Sequence, residues 1–382
     1  MIYSHSSGRI VGRNPIHEPE ELFLINNHRI ALQASRGAAA NLVLLFHTSA
    51  MSFKYFQFDF LGVGTLERSG GVDFFFLLTG FLLYLTYGNK IGTKTTVFPY
   101  LTNRLIRIYP FYWLITLVVL PVYFLVPSFG YGYETHINTI INSFLLLPQT
   151  HGPVLPVAWS LSYFVLFYLV FSLLMTLGKK PAYLLVSIWT AITLCHFLNV
   201  PLISADIDRH VYLNFLFSEI NLEFITGCLL AKWAKHHKSK YYKLLILIGT
   251  LCFLLIWINN KYLLIPYHNY LLFIIPSSLI LLGATSVPEQ LQLPNWVKRL
   301  SKLGDASYTI LLTHLLFISV LMKLSVATHI VDNLGFLFTD LIIVGMTVPL
   351  CYMTYRFAES PFVKGLKSAT ILRSSKPSNA IT

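Results

Sequence analysis

Long apolar runs recur from Ala38 to Leu350, and short polar or basic segments separate them. A helix needs roughly 20 mostly apolar residues to cross a bilayer, and runs of this kind predict transmembrane helices. The expected bounds are 38–55, 72–88, 109–127, 158–178, 182–198, 212–231, 244–258, 268–284, 306–323 and 334–355. The pattern predicts an all-α fold, a polytopic membrane helix bundle of about ten transmembrane helices.

The composition supports this prediction. Of the 382 residues, 55% are hydrophobic and 12% are charged, whereas soluble domains average about 25% charged residues. A soluble globular protein is therefore excluded. We expect one membrane domain at 36–362, a polar cytoplasmic segment at 1–35 and a basic cytoplasmic tail at 363–382. The first thirty residues lack the apolar core of a secretory signal peptide.

The positive charges fall mainly in alternate loops. If the N-terminus is cytoplasmic, all but five of the 28 lysines and arginines lie on the cytoplasmic side. The five are Lys54, Arg68, Arg209, Lys261 and Lys323. This asymmetry follows the positive-inside rule. It predicts an even number of spans, two cytoplasmic termini and a multi-pass protein of the cytoplasmic (inner) membrane. The net charge of +12 is thereby explained by basic residues at the cytoplasmic face of the membrane. No nucleic-acid partner is expected.

Several common chemistries leave no trace in the sequence. The four cysteines stand singly, without metal-ligand or redox spacing, so no metal site is predicted. There is no Walker-type phosphate loop, no dinucleotide-binding glycine fingerprint, no HExxH and no nucleophile elbow. A phosphate-bearing ligand would have to be bound by side chains at the mouths of the helices.

The first predicted span contains two candidate functional residues, Arg36 and His47. Their eleven-residue separation is roughly 16 Å along a helix, which places His47 near the bilayer midplane. An ionisable residue at that depth is a functional candidate, and a histidine can accept a proton from an attacking hydroxyl. A neutral histidine that is hydrogen-bonded to a neighbouring helix, with no functional role, would fit the position of His47 equally well. Arg36 suits either an incoming phosphate or a membrane-edge anchor.

Three further charged residues stand near helix ends. Arg104 and Arg107 are three residues apart, so they share one face of a helix and could clamp a diphosphate. An interfacial segment whose arginines contact anionic lipid headgroups is the alternative. Asp73 follows Gly70 and Gly71 at the start of the second span. It is either a cavity-lining acid or a helix cap.

Polar or aromatic residues also occupy two later spans. His314 lies about nine residues into the ninth span, near the midplane, and is a second candidate for a polar pathway. Trp159 and Ser160 begin the fourth span, where the tryptophan is either a substrate platform or part of the interfacial aromatic belt. We take His314, Trp159 and Ser160 as candidate substrate-binding residues.

Five segments occur in a characteristic order: RGAAANLVLLFH, GGVDFFFLLTGF, NRLIRIYPFYW, VAWSLSYFVLFYLVF, and SYTILLTHLL with YRFAESPF. Together they resemble the acyltransferase-3 family of integral membrane acyltransferases. The resemblance implies transfer of an acyl group, expected to be acetyl, from cytoplasmic acyl-CoA. The acceptor would be a hydroxyl of a cell-surface polysaccharide, such as an exopolysaccharide or lipopolysaccharide, or its lipid-linked precursor. Acetyl-CoA would be a donor substrate, with no tightly bound cofactor.

By the same resemblance, His47 would be the catalytic histidine, and Arg36, Arg104 and Arg107 would bind the donor. One departure is Phe164, where many family members have a glutamate. We therefore expect Asp73, or a serine such as Ser160, to orient His47.

The final segment, YRFAESPF, retains Glu359 as an expected ion-pair partner at the cytoplasmic side. The polar midplane residues also suit a transporter or flippase for a lipid-linked saccharide. Loss of the usual glutamate leaves a non-catalytic member of the family as a third hypothesis.

Overall fold

The computed structural model describes residues 26–63, 68–262 and 270–374. Across these ranges the chain forms helices joined by turns, and it forms no strand. The helices are α1 (Asn26–Phe56), α2 (Gly71–Tyr87), α3 (Val97–Leu125), α4 (Ile137–Leu145), α5 (Trp159–Thr176), α6 (Lys179–Phe197), α7 (Pro201–Asp208), α8 (Val211–Leu216), α9 (Ile220–Ala234), α10 (Tyr242–Tyr262), α11 (Ile274–Ala284), α12 (Asn295–Asp305), α13 (Ser307–Ala327), α14 (Ile330–Thr354) and α15 (Ser360–Ser374). A π-helical turn, Tyr355–Glu359, joins α14 to α15.

Each predicted span overlaps at least one of these helices, so the all-α bundle is confirmed. Seven stretches are long and apolar enough to cross a membrane: Gly71–Lys90, Lys94–Leu125, Pro156–Thr176, Val211–Ala234, Tyr242–Tyr262, Ser307–Ala327 and Ile330–Leu366. The spans predicted at 38–55, 182–198 and 268–284 coincide with α1, α6 and α11, which are outside that set. The count of ten and the cytoplasmic termini remain predictions.

The first helix, α1, begins at Asn26, ten residues before residue 36, where the membrane domain is expected to start. Residues 1–25 and 375–382 lie outside the described residues, but α1 is already helical from Asn26. The Asn27 amide donates to the carbonyl oxygens of Pro288, Glu289 and Leu291 at 2.8, 2.7 and 2.9 Å. These hydrogen bonds attach the first turn of α1 to a distant loop, and hydropathy carries no information about them.

Glycines allow two pairs of helices to pack backbone to backbone. A Cβ added at Gly80 of α2 would meet the carbonyl oxygen of Phe224, and one at Gly227 of α9 would meet that of Leu77. Small residues at such contacts let membrane helices approach closely. Gly80 and Gly227 therefore bring α2 and α9 into close contact. A second glycine contact, between Gly304 and Gln33, packs α12 against α1.

The span predicted at 212–231 is interrupted between α8 and α9. The Asn221 amide donates to the carbonyl oxygen of Leu216 at 2.9 Å, and the Trp189 indole donates to the same oxygen at 2.7 Å. His196 Nδ1 lies 3.1 Å from the Phe217 carbonyl oxygen. These side chains satisfy carbonyls that the break removes from the helical ladder, as apolar surroundings require.

The two ends of the bundle differ in charge. One end, which we call the basic end, comprises the start of α1, residues 235–241 and residues 285–305. Lys238 Nζ donates to the Thr285 carbonyl oxygen at 2.8 Å, and this joins two of these segments. The other end, the loop end, comprises residues 57–63, 126–136 and 146–158. At this end the Nζ atom of Lys323 lies 2.9 Å from the centre of the Phe129 ring.

Candidate functional site

Arg36, Arg104 and Arg107 line one small cavity near the basic end, with a volume of about 70 Å³. Arg36 comes from α1, and the other two arginines lie one turn apart on α3. The Arg36 Nη2 group donates to the Ser307 hydroxyl at 3.1 Å, which connects α1 to the start of α13. Guanidinium groups match the geometry of phosphate oxygens. This arginine cavity is therefore suited to a phosphate-bearing ligand.

Arg104 is buried, with only 5% of its surface exposed. Its guanidinium carbon lies 5.5, 5.9 and 5.7 Å from the ring centres of Tyr87, Tyr100 and Tyr168. An arginine bound to lipid headgroups would lie at the membrane surface. The headgroup interpretation therefore does not fit Arg104, which is enclosed by aromatic rings as a cation–π partner.

Glu359 lies beside the arginine cavity, in the π-helical turn. Its carboxylate is 7% exposed and accepts a hydrogen bond from the Thr309 hydroxyl. Arg107 and Arg36 are close enough to act on its charge. Single π-turns often occur at functional sites. The predicted ion-pair partner thus stands next to two of the arginines that line this cavity.

A second small cavity, with a volume of about 70 Å³, is lined by both of the histidines that the sequence predicts near the midplane. His47 of α1 and His314 of α13 line it together with Trp159 and Ser160 at the start of α5 and with Arg68. The four candidates that the sequence placed on three different spans therefore meet in one place. This histidine cavity shares no lining residue with the arginine cavity.

The two histidines have different environments. Their ring centres are 5.0 Å apart, with the planes inclined at 43°. His314 is fully buried, and its Nδ1 lies 2.7 Å from the Ile310 carbonyl oxygen. Because a carbonyl can only accept, Nδ1 carries the proton, and Nε2 of the neutral ring holds the lone pair. His47 is only half-buried and faces the cavity, so it is the histidine that a ligand can reach.

Trp159 and Ser160 both line the histidine cavity, but they differ in what holds them. Trp159 is 36% exposed, and the Arg68 guanidinium lies 6.0 Å from its ring centre. The Ser160 hydroxyl donates to the Val157 carbonyl oxygen at 3.0 Å. The Ser160 hydroxyl thus bonds to the backbone. The expected orientation of His47 by Ser160 stays a prediction.

Asp73 does not line the histidine cavity. It is 2% exposed, and its Oδ1 lies 3.6 Å from Arg68 Nη1, which is also 3.7 Å from Glu219 Oε1. The fully buried Glu223 of α9 borders Asp73. Asp73 therefore holds Arg68, and Arg68 in turn faces the histidines. The N-cap of α2 is Gly70, so the cap interpretation does not describe Asp73 either.

Phe164 belongs to an aromatic cluster. It is 9% exposed, and its ring centre is 5.1 Å from that of Phe76. A buried glutamate is nevertheless present, because Glu223 approaches the start of α2 from α9. Sequence reasoning missed Glu223 and Arg68. Arg68 stands five residues before Asp73, which is a usable signal, whereas Glu223 is brought there only by tertiary packing.

Comparison with known proteins adds one finding. A family model described as an acyltransferase domain matches residues 29–356, which include both cavities. No curated protein and no solved structure matches the chain.

Proposed function

The chain belongs to the acyltransferase-3 family of membrane proteins, and from this premise we propose that it transfers an acetyl group from acetyl-CoA to a sugar hydroxyl. The acceptor is a cell-surface polysaccharide or its lipid-linked precursor. The donor reaches the protein from the cytoplasm, and the enzyme resides in the inner membrane. Acetyl-CoA is a substrate here and not a bound cofactor.

One observation carries the proposal: the arginine cavity and the histidine cavity lie along the same helix, α1. Arg36 lines the first and His47 lines the second. Their separation is roughly 16 Å at 1.5 Å rise per residue. Acetyl-CoA is an elongated molecule with phosphates at one end and its thioester at the other. Phosphates bound by Arg36, Arg104 and Arg107 would leave the pantetheine arm to extend towards His47.

The chemistry needs one general base at the thioester. The acceptor oxygen attacks the thioester carbonyl carbon while His47 takes the hydroxyl proton, the C–O bond forms and the C–S bond breaks. The imidazolium then returns the proton to the departing CoA sulfur. Such proton transfer contributes about 10²- to 10⁴-fold to the rate. The products are the sugar ester and free CoA, and the histidine ends in its starting form.

The test uses the purified full chain in detergent, labelled acetyl-CoA and a crude glycan acceptor. We expect label in the glycan with wild-type protein and none with His47→Ala. His136→Ala is the matched control, because His136 is exposed in the loop end. Normal labelling by His47→Ala would overturn the histidine assignment. Movement of the saccharide across a vesicle membrane without covalent change would instead identify a transporter or flippase.

A further inference from the structure

A third cavity, distinct from the two above, lies in the loop end. It has a volume of about 480 Å³, and segment 147–153 and helices α7 and α8 form its walls. The start of α5 contributes Trp159, Ser162 and Tyr163. Ligand sites usually measure about 300–1,000 Å³ and combine apolar walls with a few placed polar groups. We call this cavity the outer cleft.

Aromatic rings form one wall of the outer cleft. The ring centres of Tyr163 and Phe215 are 4.3 Å apart, and those of Trp159 and Tyr163 are 6.2 Å apart. A pyranose ring has an apolar face of C–H groups and a rim of hydroxyls. Rigid aromatic side chains offer large contact area to such a face at low cost in conformational entropy.

Asp208 supplies an oriented acceptor on the other side of the outer cleft. Its Oδ1 lies 3.0 Å from His196 Nε2 and accepts a hydrogen bond from the Asn214 amide at 3.1 Å. No hydrogen bond from the described part of the chain reaches its Oδ2, and the side chain is 58% exposed. A carboxylate fixed through one oxygen presents the other to ligand hydroxyls, and such charge-assisted bonds are strong.

The charges around the outer cleft disfavour an anionic ligand. Asp208 lines it, and no lysine or arginine does so among the residues the structure describes. Two nearby arginines are engaged with acids: Arg68 with Asp73 at 3.6 Å, and Arg209 with Asp206 at 3.6 Å. A uronic acid or a phosphosugar would place its charge beside Asp208, with both of these cations already engaged. An uncharged sugar avoids that repulsion.

Trp159 connects this cleft to the chemistry, because it lines both the outer cleft and the histidine cavity. The cleft wall is also held in place. The backbone N–H of Val154 donates to the Ser143 hydroxyl at 3.0 Å, and His151 stacks on Tyr133 at 5.3 Å between ring centres. A ligand in the cleft therefore meets a formed wall and lies one side chain from the histidines.

We propose that the outer cleft binds an uncharged sugar ring of the acceptor glycan, with Asp208 accepting its hydroxyl hydrogens and Trp159 at the boundary to His47. This inference rests on the proposed function, because only an acyltransferase needs a sugar hydroxyl beside His47. It adds the class of sugar and the residues that select it. Asp208 is a specificity-determining residue in this scheme, not a catalytic one.

The experiment compares Asp208→Asn with Asp206→Asn, a matched change two residues away on the exposed side of the same helix. With native glycan as acceptor, Asp208→Asn should raise the acceptor KM by about tenfold, the effect of one charge-assisted hydrogen bond. The KM for acetyl-CoA should not change. Asp206→Asn should leave both constants at wild-type values. Equal effects of the two variants would overturn the proposal.

Two further readouts separate this inference from the proposed function. Mass spectrometry of the labelled glycan should place the acetyl group on an uncharged sugar, and its presence on a uronic acid or phosphosugar would refute the inference alone. Saturation-transfer NMR without acetyl-CoA should show that neutral acceptor fragments bind to wild-type protein, and Asp208→Asn should raise the dissociation constant of those fragments by about tenfold. Fragment binding without any acetyl transfer would refute the proposed function and leave the cleft assignment standing.

Discussion

The rings of His47 and His314 stand 5.0 Å apart between centres, although 267 positions separate these residues in the chain. Both line the histidine cavity, but His47 is the more accessible of the two. His314 is fully buried and anchored through Nδ1 to the Ile310 carbonyl, whereas His47 is half-buried. The pair therefore consists of one partly accessible ring, that of His47, and one buried ring held in place by a hydrogen bond, that of His314. This asymmetry predicts different parts for the two histidines in the proposed acetyl transfer.

Replacing each histidine with glutamine should separate those parts. His47→Gln should lower kcat for acetyl transfer by about 10²- to 10⁴-fold, because a glutamine cannot take the hydroxyl proton. His314→Gln should cost less, since an amide can still donate to the Ile310 carbonyl. Single-turnover rates with labelled acetyl-CoA measure both. A larger loss in His314→Gln than in His47→Gln would reverse the assignment.

A substitution in the arginine cavity should change the KM for the donor, acetyl-CoA, and for no other substrate. Arg104→Lys should raise the KM for acetyl-CoA by about 10- to 100-fold, because a lysine loses the planar fork and the stacking between three tyrosine rings. The acceptor KM should be unchanged. The exposed Arg356 provides the matched control, Arg356→Lys, which should behave as wild type.

Acetyl-dephospho-CoA extends this donor test. If Arg36, Arg104 and Arg107 bind phosphates, wild-type protein should prefer acetyl-CoA to the analogue that lacks the 3′-phosphate. The arginine that binds that phosphate is the one whose replacement removes the preference. Equal KM values for the two donors in wild-type protein would show that the 3′-phosphate lies outside the cavity.

The sequence located the helices well because a bilayer imposes one length and one polarity on every span. It predicted α2 as 72–88 and α13 as 306–323, within a few residues of their bounds. It missed the break at Phe217–Glu219. Phe217 lies in an apolar sequence, and the side chains of Asn221, Trp189 and His196 bond to the carbonyl oxygens at the break.

The candidate site likewise combines residues that the sequence could identify with contacts that only the structure shows. Arg36 and His47 were identifiable from their depth on one helix, which is a local property. The meeting of Asp73 with Glu223 depends on the packing of α2 against α9, and a hydropathy pattern cannot encode which two helices pack. Resemblance to a family supplied the grouping of Arg36 with Arg104 and Arg107. The structure places those three around one cavity.

Packing of α2 against α9 can be tested at its glycines. Gly227→Ala would place a methyl group against the Leu77 carbonyl oxygen, and overpacking of this kind costs about 1–3 kcal/mol. Gly345→Ala is the control, since nothing lies within 4 Å of its added Cβ and alanine is the better helix former. Unfolding by a denaturing detergent, followed by circular dichroism, compares them. A Gly227→Ala variant as stable as wild type would contradict the close packing.

The stability of the protein should depend strongly on Arg68, the cation in a cluster of acidic residues. Arg68 approaches Asp73 and Glu219, and Glu223 borders Asp73. Arg68→Met would leave buried carboxyl groups without their cation, and breaking a buried pair costs about 3–5 kcal/mol. The same unfolding titration should show this loss, and the double variant Arg68→Met, Asp73→Asn should recover part of it because one buried charge is removed.

Arg209→Met is the control for the cluster, because Arg209 and Asp206 are 75% and 76% exposed, and exposed ion pairs contribute about 0–1 kcal/mol. If Arg68→Met and Arg209→Met were equally stable, the cluster would not be holding α2 and α9. If the double variant regained stability but not acetyl transfer, Arg68 would have a second part in the histidine cavity that it lines. Transfer restored along with stability would make that part structural, with Asp73 needed only to balance the charge of Arg68.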